Sequence, residues 1–114
     1  MKFTIDKSLA ELGIKSVVLG IARNVDPQAP LSEAFLQKQK EAENWALNCN
    51  LAEIIDHPTI QGYCDLLQKV GRSVKKNPPT VPALIRNIQH RGSIPRINSI
   101  IDIYNVESLH SLLA

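Results

Sequence analysis

The chain has 114 residues, a formal net charge of +2, 44% apolar residues and only 4% aromatic ones. That length holds one domain or part of one, and no apolar stretch approaches the ~20 residues of a membrane-spanning helix. Two cysteines are too few for a disulfide scaffold. With no apolar core of a signal peptide after Met1, Cys49 and Cys64 read as reduced core residues of a cytoplasmic protein.

In chain order, Phe3 and Ile5 alternate with polar neighbours, which predicts a short strand. Asp6 or Ser8 caps a single helical turn through Leu9 and Leu12, ended by Gly13. Residues 14–25 read as a long strand, with Val17, Leu19 and Ile21 on one face and Ile14 and Val18 on the other. Gly20 marks a bulge or a close backbone approach. After a loop containing Pro27 and Pro30, Ser32 caps an amphipathic helix whose Phe35, Ala42, Trp45, Ala46 and Cys49 recur at helical spacing. Lone Trp45 reads as a core anchor.

Residues 51–55 make one helical turn, and Asp56-His57-Pro58 opens the next helix, where Pro58 suits a first position. Ile60, Tyr63, Cys64, Leu67 and Val70 form its inner stripe, and Gly71 ends it. His57 reads as a cap or loop residue rather than a base. A Pro-stiffened basic linker follows. Thr80 caps a further helix packed inward through Val81, Leu84, Ile85 and Ile88, and Gly92 closes it.

Residues 94–109 form the most unusual stretch. Asn98 is placed to cap a helix, and Ile100, Ile101, Tyr104, Leu109 and Leu112 give that helix an apolar face; a strand is the alternative. Asp102 and Asn105 interrupt the run. Buried, each needs a hydrogen-bonding partner; the alternative puts both on a solvent face.

Charge is unevenly spread. Residues 66–101 contain Lys69, Arg72, Lys75, Lys76, Arg86, Arg91 and Arg96 and no Asp or Glu. A carboxylate-free basic window is a candidate surface for an anionic ligand, nucleic acid first; a merely solvated basic face is the alternative. Conventional catalytic and metal signatures are absent, including CxxC pairs, HExxH, Gly-rich phosphate loops and GxSxG elbows. From the residues, no catalytic group, metal or cofactor is assigned.

The order of motifs carries a resemblance. Asp56-His57-Pro58-Thr59-Ile60, Tyr63 and Gly71 come first, then Lys75-Lys76, Pro79-Thr80, Ala83-Leu84 and Arg86. Ile94-Pro95-Arg96-Ile97-Asn98, Ile101-Asp102, Tyr104-Asn105 and Ser108-Leu109 complete the order. Together they resemble the B-three/B-four domain found in the beta chain of bacterial phenylalanyl-tRNA synthetase and in small stand-alone proteins, the stand-alone branch above all. That domain hydrolyses tyrosine wrongly attached to the phenylalanine tRNA. The resemblance departs at Cys64, Pro82 and Asn87, while Thr80 keeps a capping hydroxyl.

The resemblance implies a single α/β (α+β) domain over residues 1–114, with short N-terminal strands followed by helices. It places Asn105 at the amino-acid pocket and gives Asp102 and Asn98 supporting roles. Lys75, Lys76, Arg86, Arg91 and Arg96 become the contacts to tRNA or its aminoacyl end. Family members run well beyond residue 114, so the chain matches an N-terminal half without a complete hydrolytic site. Uncovered apolar faces then imply a homodimer or segment exchange. A non-enzymatic protein-interaction module with a basic face is the competing function, and an enzyme acting on a small substrate is a third.

Overall fold

The structure is a computed structural model and describes residues 1–113. Six helices follow in order: α1 (Ser8–Glu11), α2 (Glu33–Asn48), α3 (Leu51–Ile55), α4 (Pro58–Lys69), α5 (Thr80–Arg91) and α6 (Ser99–Ser111). The described residues contain no strand and no sheet.

The α/β class is therefore overturned, as are the strands expected at the N-terminus and over residues 14–25. The physical reason lies in the nature of a strand. A helix satisfies its own main-chain groups, whereas a strand requires a neighbour, and no second strand is present among the described residues. Asn24 also interrupts the segment with a left-handed φ of 54°.

Local chemistry sets most helix starts. Ser32 Oγ accepts from the Phe35 N–H at 3.1 Å, His57 Nδ1 from Thr59 at 3.2 Å and Asn98 Oδ1 from Ile101 at 3.0 Å, each relieving an unpaired donor of a first turn. Asp6 Oδ1 accepts from Ser8 at 2.8 Å beside α1, which holds its carboxyl below the usual value. The expected cap at Thr80 is corrected: Thr80 is the first helical residue of α5, the cap position is Pro79, and no side chain caps that end. Gly92 ends α5 with φ 90°, a conformation that disfavours any residue with a Cβ.

The core is formed by Ala42 and Ala46 of α2, Ile60 of α4, Val81, Leu84, Ile85 and Ile88 of α5, Ile94, and Val106 and Leu109 of α6. Helix α5 packs against α2, α3 and α6. Two polar side chains lock this arrangement across long sequence separations. Gln89 Nε2 donates to the carbonyls of Ala46 at 3.0 Å and Cys49 at 3.1 Å, satisfying groups at the open end of α2. Glu43 Oε1 accepts from the Ile94 N–H at 2.9 Å.

Outside this bundle the chain is thinly packed. Its radius of gyration is 16.2 Å, against about 13 Å for a compact chain of this length. Phe3, Ile5, Val17, Val18, Leu19, Ile21 and Val25 are all exposed. Trp45, expected as a core anchor, is also exposed at the rim of the bundle.

Candidate nucleic-acid interface and the start of helix six

Helices α2 and α6 run side by side in the same direction. Ser32 and Phe35 share a cleft with Ser99, Ile100 and Ile103, Lys38 pairs with Glu107 one or two turns further along, and Ala42 and Trp45 share another cleft with Leu109 and Leu112. The buried side of α6 is anchored by Val106 at 0% and Leu109 at 2% exposure.

That packing turns α6 over relative to the sequence-based expectation. Ile100, Ile101 and Tyr104 are exposed, whereas Asp102, Asn105 and Ser108 are buried. The reason is that α6 is apolar on nearly every side, so spacing alone leaves its inner face undetermined. Capping and anchoring at its start decide the rotation.

Asp102 Oδ1 accepts from the main-chain N–H of Ile97 at 3.1 Å. Ser99, which the sequence did not single out, donates from Oγ to the carbonyls of Pro27 at 2.8 Å and Asp26 at 3.2 Å, and its N–H reaches Pro27 at 3.1 Å. Together with the Asn98 cap these bonds fix the first turn of α6 against the end of the N-terminal segment.

A cleft of about 430 Å³ opens there, lined by residues that include Gln28, Leu36, Arg96, Asn98, Ser99 and Asp102. Arg96 also lines a neighbouring cleft with Gln39, Lys40, Glu43, Ser93 and Ile94. Asn105 lies on the buried side of α6 and lines neither cleft.

The five basic residues singled out for anion contact surround α5. Lys75 and Lys76 lie in the turn before it, Arg86 on its outer side, Arg91 in its last turn and Arg96 in the connection to α6. A twelve-residue helix is about 18 Å long. All five are exposed, and among the described residues the one ion pair, Lys38 with Glu107, includes none of them. Their charges are thus uncommitted within the described chain. The linker carrying Lys75 and Lys76 is held in place, since Tyr63 Oη donates to the Asn77 carbonyl at 3.4 Å and the Asn77 N–H reaches Ser73 O at 3.0 Å.

Among the described residues no cluster of three or more His, Cys, Asp or Glu is arranged to hold a metal ion, and no helix is long and apolar enough to cross a membrane. Cys49 and Cys64 are free thiols, and burial pushes the Cys49 thiol up from its ordinary value. No protein-family model, no curated protein and no solved structure matches the chain.

Proposed function

We propose that this chain is a binding module for tRNA or its aminoacyl end. The observation that carries the reading is the set of five exposed cations, unpaired within the described chain, disposed along and around α5. A nucleic-acid strand repeats its charge every ~3.4 Å, so cations set before, along and after a helix of about 18 Å reach several phosphates. The motif order over residues 94–109 points to tRNA as the particular anion. Arg96 lines the cleft at the start of α6 and so joins these cations to a polar recess. In this reading Asn98 and Asp102 belong to the recess wall, and Asn105, on the buried side of α6, does not line it.

The test is titration of the chain with unfractionated tRNA by fluorescence anisotropy at 50 and 200 mM salt. Five phosphate contacts predict a log–log salt slope of about −4, a loss of roughly two orders of magnitude in affinity over that range. Binding that ignores salt, or its absence at 50 mM, overturns the proposal.

A second reading rests on a separate observation. Ile100, Ile101, Ile103 and Tyr104 of α6 and the apolar residues of the N-terminal segment are exposed together. Exposed apolar surface of that extent marks a protein-interaction face. An apolar dye that gains no fluorescence on the chain counts against it.

A further inference from the structure

Gln39 of α2 has a side-chain amide that the described chain satisfies at one end only. The residue is 7% exposed, and its carbonyl oxygen, Oε1, is buried with no hydrogen-bond partner. At the other end Nε2 donates to Glu43 Oε1 at 3.2 Å, and the same oxygen accepts from the Ile94 N–H. That bonding fixes which way the amide points. Turned over, it would set Oε1 against a carboxylate and leave its donors unpaired, so the unmet group is an acceptor. A buried acceptor without a donor costs free energy. Among the described residues, Gln39 Oε1 is the one buried side-chain atom in that condition.

Gln39 borders the cleft of about 370 Å³ between α2 and the connection from α5 to α6. Leu36 and Ile94 supply apolar walls there, and Lys40 and Arg96 bring two exposed cations to its edge. Gln39 and Glu43, one turn apart on α2, supply acceptors. A fitting ligand therefore offers N–H groups to the acceptors, negative charge to the cations and an apolar face to Leu36 and Ile94. A free amine meets the first demand and is repelled by the cations. An inorganic anion meets only the second. A nucleotide meets all three, with a neutral exocyclic amino group, a phosphate and the faces of its ring.

We propose that this cleft takes one unpaired base of the bound RNA, with Gln39 Oε1 accepting from the exocyclic amino group of adenine or cytosine and Lys40 and Arg96 meeting the adjoining phosphates. The inference rests on the RNA-binding reading and names the residue that reads a base. Single-stranded RNA is recognised through splayed-out bases hydrogen-bonded along such edges. The cleft volume lies near the lower end of small-ligand sites, which suits one nucleoside. Phosphate contacts around α5 carry no base preference, so Gln39 adds what those cations lack. Uracil offers a single N–H between two carbonyls, a poor match to neighbouring acceptors. The Gln39 amide ends a flexible side chain, and a small rotation carries Oε1 to a donor in the cleft.

The test uses the full chain and two 5′-labelled RNA hexamers, one of adenosine and one of purine riboside, which lacks the 6-amino group. Both carry the same phosphates, so a difference between them reports the base. By anisotropy at 50 mM salt the adenosine hexamer is expected to bind about fivefold more tightly, the worth of one hydrogen bond. Gln39→Met, which keeps the length of the side chain and removes the acceptor, is expected to abolish the difference. In the unmodified chain, the side-chain amide resonance of Gln39 is expected to shift with the adenosine hexamer and not with the purine one, a readout that needs no variant to fold. Equal binding of the two hexamers overturns the base site, while salt-dependent tRNA binding then leaves the module reading standing. A preference that survives Gln39→Met, or a Gln39 resonance that stays in place, overturns the role of Gln39. Absence of tRNA binding at 50 mM salt overturns both.

Discussion

Asp102 holds the main-chain N–H of Ile97 at 3.1 Å across the bend that opens α6, although the two residues are only five apart. Asp102 as a residue is 6% exposed. Replacing it by alanine leaves a part-buried donor without its acceptor, at a cost of about 1–3 kcal/mol. Asp102→Asn keeps an acceptor and is expected to lose clearly less. Urea unfolding of the two variants checks this, and equal losses refute the bond's importance.

The two expected caps separate cleanly. Asn98→Ala removes a side-chain acceptor from the first turn of α6 and is expected to cost about 1 kcal/mol. Thr80→Ala removes no cap bond, and its expected change lies within about 0.5 kcal/mol. A larger loss at Thr80 than at Asn98 contradicts the described helix starts.

Ile88 is 0% exposed in the core, from which Ile88→Ala deletes several buried methyl and methylene groups. The expected loss is about 2–5 kcal/mol. Ile103→Ala on the exposed side of α6 is expected to cost less than about 1 kcal/mol in the monomer. Thermal melts of the two variants under dilute conditions test the rotation of α6 directly.

Reversing charge at Arg86 and Arg91 is expected to weaken tRNA binding at least tenfold at 50 mM salt and to flatten the salt dependence. Lys38→Glu removes a cation of the same kind from the exposed pair with Glu107. Such a pair adds about 1 kcal/mol at most to stability, and its loss is expected to leave tRNA affinity within a factor of about three. Anisotropy titrations of the variants distinguish these particular cations from general charge.

Cys49 packs at the edge of the core, and burial raises its thiol pKa. The neutral thiol is favoured when folded, so the folded chain is expected to lose stability as pH rises through the ordinary thiol range, where the unfolded chain ionises first. Alkylation of Cys49 by iodoacetamide at pH 8 is expected to be slower than that of a free cysteine in a peptide. Equal rates refute the shift.

Most of the helical skeleton is legible in the sequence because it depends on neighbours in sequence. Ser32, His57 and Asn98 bond within their own first turns, and Gly13, Gly71 and Gly92 all adopt positive φ where they end helices. The inner stripe of α5 is legible for the same reason: Val81, Leu84, Ile85 and Ile88 are the apolar side of an otherwise polar helix.

What depends on distant partners is not legible. Residues 14–25 have the composition of a strand, yet a strand exists only where another lies beside it. Gln89 and Glu43 look like ordinary surface residues of amphipathic helices, and nothing near them in sequence announces bonds to Cys49 and Ile94. The cationic window around α5 was readable from charge order alone, but the cleft at Arg96 requires Gln28 and Leu36 from far upstream.

The bonds from Ser99 to Asp26 and Pro27 also set an order of events during synthesis. The N-terminal segment leaves the ribosome first, but its tether is not made until residue 99 has been added. Closing a loop of some seventy residues is only modestly unfavourable in entropy, so the delay comes from the order of translation. Throughout that interval the apolar run from Val17 to Ile21 is untethered, the kind of transiently exposed surface that makes an incompletely folded chain prone to association.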